Sequence, residues 1–216
     1  MKKLLATAAL ACMFATPSYA LTVFSDNFDS NPADQLDTTP SGWTLLNGTA
    51  DIIGAGGGYD WYPGNGSYLD LDGSKGAFGQ STFLLSNTVV NYTPGNYKVS
   101  FDYGINHGDG SDTDLITLGA YLVGFGFFDL LTVDADALDH NGVTFTQAML
   151  SGFLPFNVSA QLYFRGDSVG ASDQGGGIVD NLRVNRVSAV PVPGAAILLL
   201  SGLIGLGGLS RLRRKA

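Results

Sequence analysis

The segment PGNYKVSFDYG, residues 94–104, sets the fold class of this chain. After the Pro-Gly pair, large apolar residues alternate strictly with polar residues: Tyr97, Val99, Phe101 and Tyr103 are apolar, and Lys98, Ser100 and Asp102 stand between them. A period of two sends successive side chains to opposite faces of a β-strand. The pattern therefore predicts a strand with one face in a core and the other in water.

Similar short segments recur along residues 21–187, at spacings of 8–15 residues. Asn47-Gly48 predicts a hairpin turn between strands at 43–46 and 49–53. The glycine-rich residues 54–66 predict a long surface loop, and residues 134–142 predict one short helical turn. About ten strands, no long amphipathic helix and no repeat predict an all-β protein, an antiparallel β-sandwich of the jelly-roll type.

Composition agrees with many strands joined by tight turns. All 19 acidic residues are Asp and none is Glu. Asp favours turns and caps over helix interiors. In residues 21–189, five basic residues against 19 acidic residues leave a formal charge of −14. Such a surface is a poor partner for nucleic acid or anionic membrane.

The first 20 residues have the three regions of a secretory signal peptide. Lys2 and Lys3 precede an apolar run over residues 4–14, and Ser18-Tyr19-Ala20 places small residues at both ends of a cleavage motif. We expect cleavage after Ala20. The only cysteine, Cys12, lies in this segment, so the mature chain is expected to lack disulfides.

The C-terminal sequence VPVPGAAILLLSGLIGLGGLSRLRRKA, residues 190–216, predicts a linker, a membrane helix and a basic tail. Residues 194–210 are uncharged and would span about 26 Å as a helix, slightly less than the ~30 Å hydrocarbon core. The basic residues of 211–216 are expected to stay in the cytoplasm. Residues 188–193 are then the linker, and residues 21–187 form an exported domain.

This tail resembles the PEP-CTERM sorting signal of Gram-negative bacteria, except that Val192 stands at the middle position of the Pro-Glu-Pro motif. The resemblance implies recognition and cleavage by an exosortase, with the inner membrane as a temporary anchor and the cell surface or extracellular matrix as destination. A permanently anchored protein is the alternative. The sorting and processing residues it implies are Val190, Pro191, Val192, Pro193, Arg211, Arg213, Arg214 and Lys215.

A second resemblance covers most of residues 21–187. The ordered segments NFD and GW, GSYLDLDGS, PGNYKVSFDYG and VDNLRV are similar to jelly-roll modules, often carbohydrate-binding-like, that occur in PEP-CTERM proteins. The resemblance implies a binding domain, with exopolysaccharide as a candidate partner.

Asp180 is the most informative acidic residue. Ideal alternation places it on the same apolar face as Leu182 and Val184, where an unpaired charge is costly. In the carbohydrate-binding modules that the sequence resembles, such an Asp helps to hold a structural Ca²⁺, and the matching partners here are Asp26, Asn27 and Asp29. Hydrogen bonds from the backbone or from an Arg, or a bulge that turns Asp180 to solvent, are the alternatives.

Three aromatic residues of the glycine-rich loop, Tyr59, Trp61 and Tyr62, admit two interpretations. As exposed rings they would form a platform on which a sugar ring stacks. Alternatively, they fold back and cap one end of the sandwich.

Motifs of the common catalytic sites are missing from this sequence. We therefore predict a non-enzymatic surface or matrix protein that binds exopolysaccharide. The alternative is a secreted hydrolase acting on polysaccharide, since a pair of Asp residues suited to glycoside hydrolysis depends on the fold rather than on sequence spacing.

Overall fold

Twelve β-strands form the secondary structure of the computed structural model, which describes residues 20–74, 81–106, 113–139, 142–169 and 176–188. No residue in these ranges is helical. The strands are β1 (Ala20–Asp26), β2 (Trp43–Asn47), β3 (Asp51–Gly54), β4 (Ser67–Asp70), β5 (Thr82–Ser86), β6 (Val90–Tyr92), β7 (Gly95–Ile105), β8 (Thr113–Leu122), β9 (Gly126–Asp134), β10 (Thr146–Leu154), β11 (Val158–Val169) and β12 (Gly177–Val187).

The strands form two six-stranded sheets. Sheet A has the order β10-β7-β12-β4-β3, with β1 also paired to β12; sheet B has the order β2-β5-β11-β8-β9, with β6 also paired to β11. Every pair whose register is described is antiparallel. Buried residues of both sheets belong to one core, as in a jelly-roll sandwich. The predicted antiparallel jelly-roll sandwich is confirmed.

The segment that predicted the fold lies in β7, near the middle of sheet A. Its residues Tyr97 and Phe101 are buried in the main core between the sheets, as the alternation predicted. The ring of Phe101 meets the ring of Phe164 from β11 edge-on, with centroids 5.4 Å apart. Apolar residues of the two facing sheets therefore meet in one core, and the polar residues of β7 are left on the outer face of sheet A.

A second, smaller core lies on the opposite side of sheet A, where the loop of residues 55–66 joins β3 to β4. Ile53, Tyr68 and Ile178 project from three strands of the sheet, and Tyr62 of the loop packs on them. Tyr62 stacks on Phe145 with ring centroids 4.2 Å apart. The aromatic rings of this cluster hold the loop against the outer face of sheet A.

The hairpin predicted at Asn47-Gly48 is wrong. Strand β2 pairs with β5 in sheet B, whereas β3 pairs with β4 in sheet A. Gly48 does adopt a turn conformation, with φ of 73°, but the turn carries the chain from one sheet to the other. A local Asn-Gly signal specifies the turn and not the partner of each strand.

Three other local predictions need correction. The alternation of residues 67–72 predicts Asp70 and Asp72 on the face opposite Leu69 and Leu71, but all four residues are buried. The described part of residues 134–142 forms turns and no helical turn. The glycine- and aspartate-rich residues 166–177 predict a loop, but β11 runs on through the first four of them to Val169.

The predicted signal peptide, except Ala20, lies outside the described residues, as do the membrane helix, the basic tail and the sorting residues Val190, Pro191, Val192, Pro193, Arg211, Arg213, Arg214 and Lys215. Ala20 is the first residue of β1. Among the residues that are described, we find no helix with the length and apolar character needed to cross a membrane.

Candidate functional site

A polar cleft with a volume of about 310 Å³ lies on the outer face of sheet A. We call it the outer cleft. Three adjacent strands, β10, β7 and β12, supply all of its lining. The lining residues are Lys98, Ser100, Asp102, Gln147, Asn181, Arg183 and Asn185.

The register of the strands explains how these side chains meet. Gln147 of β10 stands opposite Asp102 of β7, and Ser151 stands opposite Lys98. Since cross-strand partners project from the same face, the alternation that buries Phe101 also brings the polar residues of both strands to the outer face.

Asp102 lies at the centre of the outer cleft and joins its three strands. Gln147 Nε2 donates to Asp102 Oδ1 at 3.3 Å, and Asn181 Nδ2 donates to Asp102 Oδ2 at 3.0 Å. The carboxylate therefore orients two amide side chains, one from each neighbouring strand.

Two cations of the outer cleft, Lys98 and Arg183, have no ion pair among the described residues. By contrast, Arg165 on sheet B is paired with Asp167 at 2.7 Å and with Asp129 at 3.6 Å. Arg183 also lines a neighbouring hollow of about 360 Å³ with Asp26 and Asn27 of the β1 segment. The polar surface therefore continues from the outer cleft across β12 to β1.

The donors and acceptors of the outer cleft suit a hydroxyl-rich ligand. Amide, hydroxyl, carboxylate and cationic groups are all present, and none of the lining residues is a histidine or a cysteine. On the same face of β10, Met149 and Phe153 are exposed beside the polar residues. An arrangement of this kind can hydrogen-bond the edges of a sugar ring and contact its apolar faces.

Asp180 is fully buried, as its position in the sequence indicated. The predicted face is wrong, because Asn181 has a φ of 50° and shifts the alternation by one residue. Val179 and Leu182 lie in the main core, whereas Asp180 lies on the outer side of the sheet. The backbone N–H of Asn181 donates to Asp180 Oδ1 at 2.6 Å. The backbone hydrogen bond, one of the predicted alternatives, is therefore present.

The charges that act on Asp180 include those of Asp26 and Asp29, which were predicted to share a metal ion with it. The pKa of the Asp180 carboxyl is raised to about 7, chiefly by burial and also by the negative charges of Asp29, Asp102 and Asp26, while the Asn181 hydrogen bond opposes the shift. These carboxylates repel one another, so a cation among them would be favourable.

The predicted calcium residues of the β1 segment are occupied by protein donors. Asp26 accepts from Phe28 N at 2.9 Å and from Trp43 Nε1 at 2.7 Å, and Asp29 accepts from Ser67 N at 2.9 Å and from Asn27 Nδ2. In the part of the chain that the structure describes, no three acidic, histidine or cysteine side chains are grouped closely enough to hold a metal ion. The charge distribution fits Ca²⁺, but a complete set of side-chain ligands is not assembled.

The predicted aromatic platform is only partly exposed. Tyr62 is buried, and its hydroxyl is bonded to the backbone of Ile105, so Tyr62 belongs to the small core. Trp61 is half-buried and meets Tyr59 edge-on at 6.4 Å. Of the three residues, Tyr59 alone is exposed, at 45%. The alternative in which these rings fold back on the sandwich describes Tyr62 correctly.

Sequence reasoning did not identify the outer cleft as a site, although it placed Lys98, Ser100 and Asp102 on a wet face. The missing information was the order of strands, which brings β10 and β12 beside β7. A buried pair of carboxylates was also missed: Asp70 is fully buried directly opposite Asp51 in the β3–β4 ladder. Nothing in their spacing marks them, because their burial depends on the covering loops.

Comparisons by sequence give no match to any protein-family model or to any curated protein. Among solved structures, the chain is similar to the CBM22-1–GH10 modules of Clostridium thermocellum xylanase 10B in complex with xylohexaose (17% identity, 81% of this chain, 30% of that chain, TM-score 0.47). It therefore spans less than a third of that chain.

Two further similar structures are single modules. One is the CBM22-1 xylan-binding domain of Paenibacillus barcinonensis Xyn10C (16% identity, 81% of this chain, 99% of that chain, TM-score 0.47). The other is TmCBM61 in complex with β-1,4-galactotriose (13% identity, 74% of this chain, 99% of that chain, TM-score 0.46).

Proposed function

We propose that this chain is an exported protein that binds polysaccharide at the outer cleft and does not cleave it. The observation that carries the proposal is the outer cleft itself. Its seven polar residues converge from three strands of a rigid sheet, with Met149 and Phe153 exposed on the same face. Polar groups fixed on strands are pre-oriented, so little conformational entropy is lost when a ligand binds.

Binding is favoured over hydrolysis because the outer cleft contains a single carboxylate. Most glycoside hydrolases need two carboxyl groups, one on each side of the scissile bond. Both oxygens of Asp102 accept hydrogen bonds from amide groups of the cleft. The neighbouring Asp180 is buried. A hydrolase therefore remains the second candidate, favoured only by the abundance of Asp.

Affinity electrophoresis and calorimetry with exopolysaccharide from the producing bacterium test the proposal. We expect retention by the full chain, and a loss of at least about tenfold in affinity for Gln147→Ala or Lys98→Ala. Asn157→Ala, an exposed change in the β10–β11 loop, is the matched control. Release of reducing ends during incubation would instead support the hydrolase.

Delivery is the second part of the proposal. The signal peptide of residues 1–20, the Val190–Pro193 motif and the basic tail support export, temporary anchoring in the inner membrane and release by an exosortase. Mass spectrometry of protein recovered from the medium should show a start at Leu21 and an end near Pro193. Intact, membrane-bound protein in cells with a working exosortase would support the permanent anchor.

A structural Ca²⁺ is the third part. Asp180 would hold it with oxygen atoms of Asp26, Asn27 and Asp29, and the ion would neutralise carboxylates that repel one another. We expect Ca²⁺ to raise the melting temperature over that in a chelator, and Asp180→Asn to remove the difference. Asp139→Asn, an exposed acidic residue, should keep it. An unchanged melting temperature in the wild-type chain would reject the ion.

A further inference from the structure

An apolar cavity opens between the two sheets, and it shares no lining residue with the outer cleft. Its volume is about 200 Å³, and its lining contains no charged residue. The lining includes Val99 of β7, Leu122 of β8, and Leu150 and Gly152 of β10. A Cβ added at Gly152 would meet nothing within 4 Å, so this glycine leaves the cavity open where a larger side chain would fill it.

Exposed apolar side chains adjoin the residues that line this cavity: Val123 and Phe125 follow Leu122 in the chain, Phe128 stands opposite Ala120, and Phe156 lies between Leu154 and Val158. We call the set the apolar end; its members are Val123, Phe125, Phe128, Leu130, Phe153 and Phe156. Phe125 is 78% exposed and Phe153 is 67% exposed. Leu130 and Phe153 also line the cavity, which joins the exposed rings and the cavity into one surface.

The size of the apolar end is large for a monomer. Weighted by exposure, its six side chains present roughly 600 Å², at about 200 Å² for a whole phenylalanine. The largest apolar patch on a typical monomer is about 300–600 Å². A standard interface buries about 800 Å² on each partner, so the apolar end supplies most of what a stable complex needs.

Among the strands that the structure describes, β10 forms the edge of sheet A at this end and lacks the usual protection of a sheet edge. Strand β10 has nine residues, no charged side chain and no register shift against β7. At the other ends of the two strand orders, β3 has four residues, β2 has a register shift against β5, and β9 contains charged residues and a register shift against β8. Edge strands that must remain unpaired are commonly short, charged or interrupted by a β-bulge.

We propose that a second copy of this chain docks on the apolar end, and that each copy inserts a phenylalanine ring into the cavity of the other. Phe125 and Phe156 are exposed in the loops that follow Leu122 and Leu154, two residues of the cavity lining. An apolar cavity of about 150 Å³ can hold benzene, so a cavity of this size can admit a phenyl ring. Since ring and cavity lie on one surface, a two-fold axis satisfies both copies at once.

Charge also favours a second copy at this surface. With a formal charge of −14, two exported domains repel one another wherever acidic side chains face each other. The cavity and the exposed rings around it carry no charge, so the domains can approach there at the lowest electrostatic cost. Salt should therefore strengthen the association or leave it unchanged.

Co-purification of two differently tagged full-length chains from one cell tests the proposal. We expect capture of each by the other, and a decrease of at least about tenfold for Phe125→Ser combined with Phe156→Ser, because buried aromatic anchors dominate interfaces. Leu46→Ser is the matched control, since Leu46 is similarly exposed on β2, at the other side of sheet B. It should leave capture unchanged.

Gly152→Leu separates association from folding, because it fills the cavity from within without removing a core side chain. We expect it to keep or raise the melting temperature and to reduce capture as strongly as the double variant. If the Gly152→Leu chains capture each other as well as wild-type chains do, or if capture persists in the double variant, the proposal is overturned. Any association would then involve another part of the chain. A wild-type chain without capture would overturn it as well.

Discussion

Replacing Tyr62 by phenylalanine tests how the loop of residues 55–66 is held on sheet A. The Tyr62 hydroxyl accepts from Ile105 N at 2.8 Å and donates to Ile105 O at 2.9 Å. Ile105 is buried, so both of its backbone groups lose their partner in the variant. The ring of Phe145 still stacks on the new phenyl ring. The substitution therefore isolates two buried hydrogen bonds.

The expected loss follows from the two groups left unpaired. A buried donor or acceptor without a partner costs about 1–3 kcal/mol. Relaxation of the loop reduces the sum, and we expect Tyr62→Phe to lower the free energy of unfolding by about 3 kcal/mol. For a domain of this size, that corresponds to a decrease of roughly 6–12 °C in melting temperature.

Urea unfolding followed by tryptophan fluorescence measures this loss, and Tyr59→Phe is the matched control. Tyr59 lies in the same loop but is exposed, so its variant should differ from wild type by less than about 0.5 kcal/mol. Equal stabilities of Tyr62→Phe and wild type would refute the reasoning. Such a result would mean that the Ile105 backbone groups are satisfied without the Tyr62 hydroxyl.

Three further predictions concern buried residues. Burial, together with the charges of Asp51 and Asp72, raises the pKa of Asp70 well above its usual value. Protonated Asp70 therefore makes its full contribution to the free energy of unfolding below the unfolded pKa of about 4. As pH rises from there toward the folded pKa, that contribution is lost by about 1.4 kcal/mol per pH unit. Urea unfolding should show no such loss in Asp70→Asn, and parallel pH profiles of the variant and wild type would contradict this. Gly119→Ala places a methyl group against the buried ring of Tyr163 and should cost about 1–3 kcal/mol by thermal denaturation, whereas Gly152→Ala, which enters open space, should not destabilise. Trp43→Phe removes the 2.7 Å hydrogen bond to Asp26 and should cost about 1.5–3 kcal/mol in urea; a loss below 0.5 kcal/mol would mean that water replaces the indole N–H.

The fold class was predictable because the alternation of apolar and polar residues in β7 decides by itself which side chains are buried. Each apolar residue of the alternation reaches the core, and each polar residue reaches the outer face. Pairing partners were not predictable in the same way. Asn47-Gly48 indicates a turn correctly, yet only the complete set of strands decides that β2 joins sheet B and β3 joins sheet A.

Burial of polar residues was predictable only where the strand alone decides it. Asp180 stands among apolar residues, and its burial was expected. Asp70 alternates with leucines like a residue of a wet face, but Asn106 Nδ2 donates to its Oδ2 at 2.7 Å and the surrounding chain covers it. Contacts between residues far apart in sequence decide such cases, and local periodicity does not contain them.

The left-handed conformation of Asn181 connects the two parts of the site. By shifting the alternation, it keeps Val179 and Leu182 in the core and puts Asp180 and Asn181 on the outer side of sheet A. Asn181 Nδ2 then donates to Asp180 Oδ2 at 3.1 Å and to Asp102 Oδ2 at 3.0 Å. A single amide thus links the buried carboxylate to the floor of the outer cleft. Whatever neutralises Asp180 therefore also fixes the residues that we expect to bind the ligand, which is why Asp180→Asn should be tested for polysaccharide affinity as well as for stability.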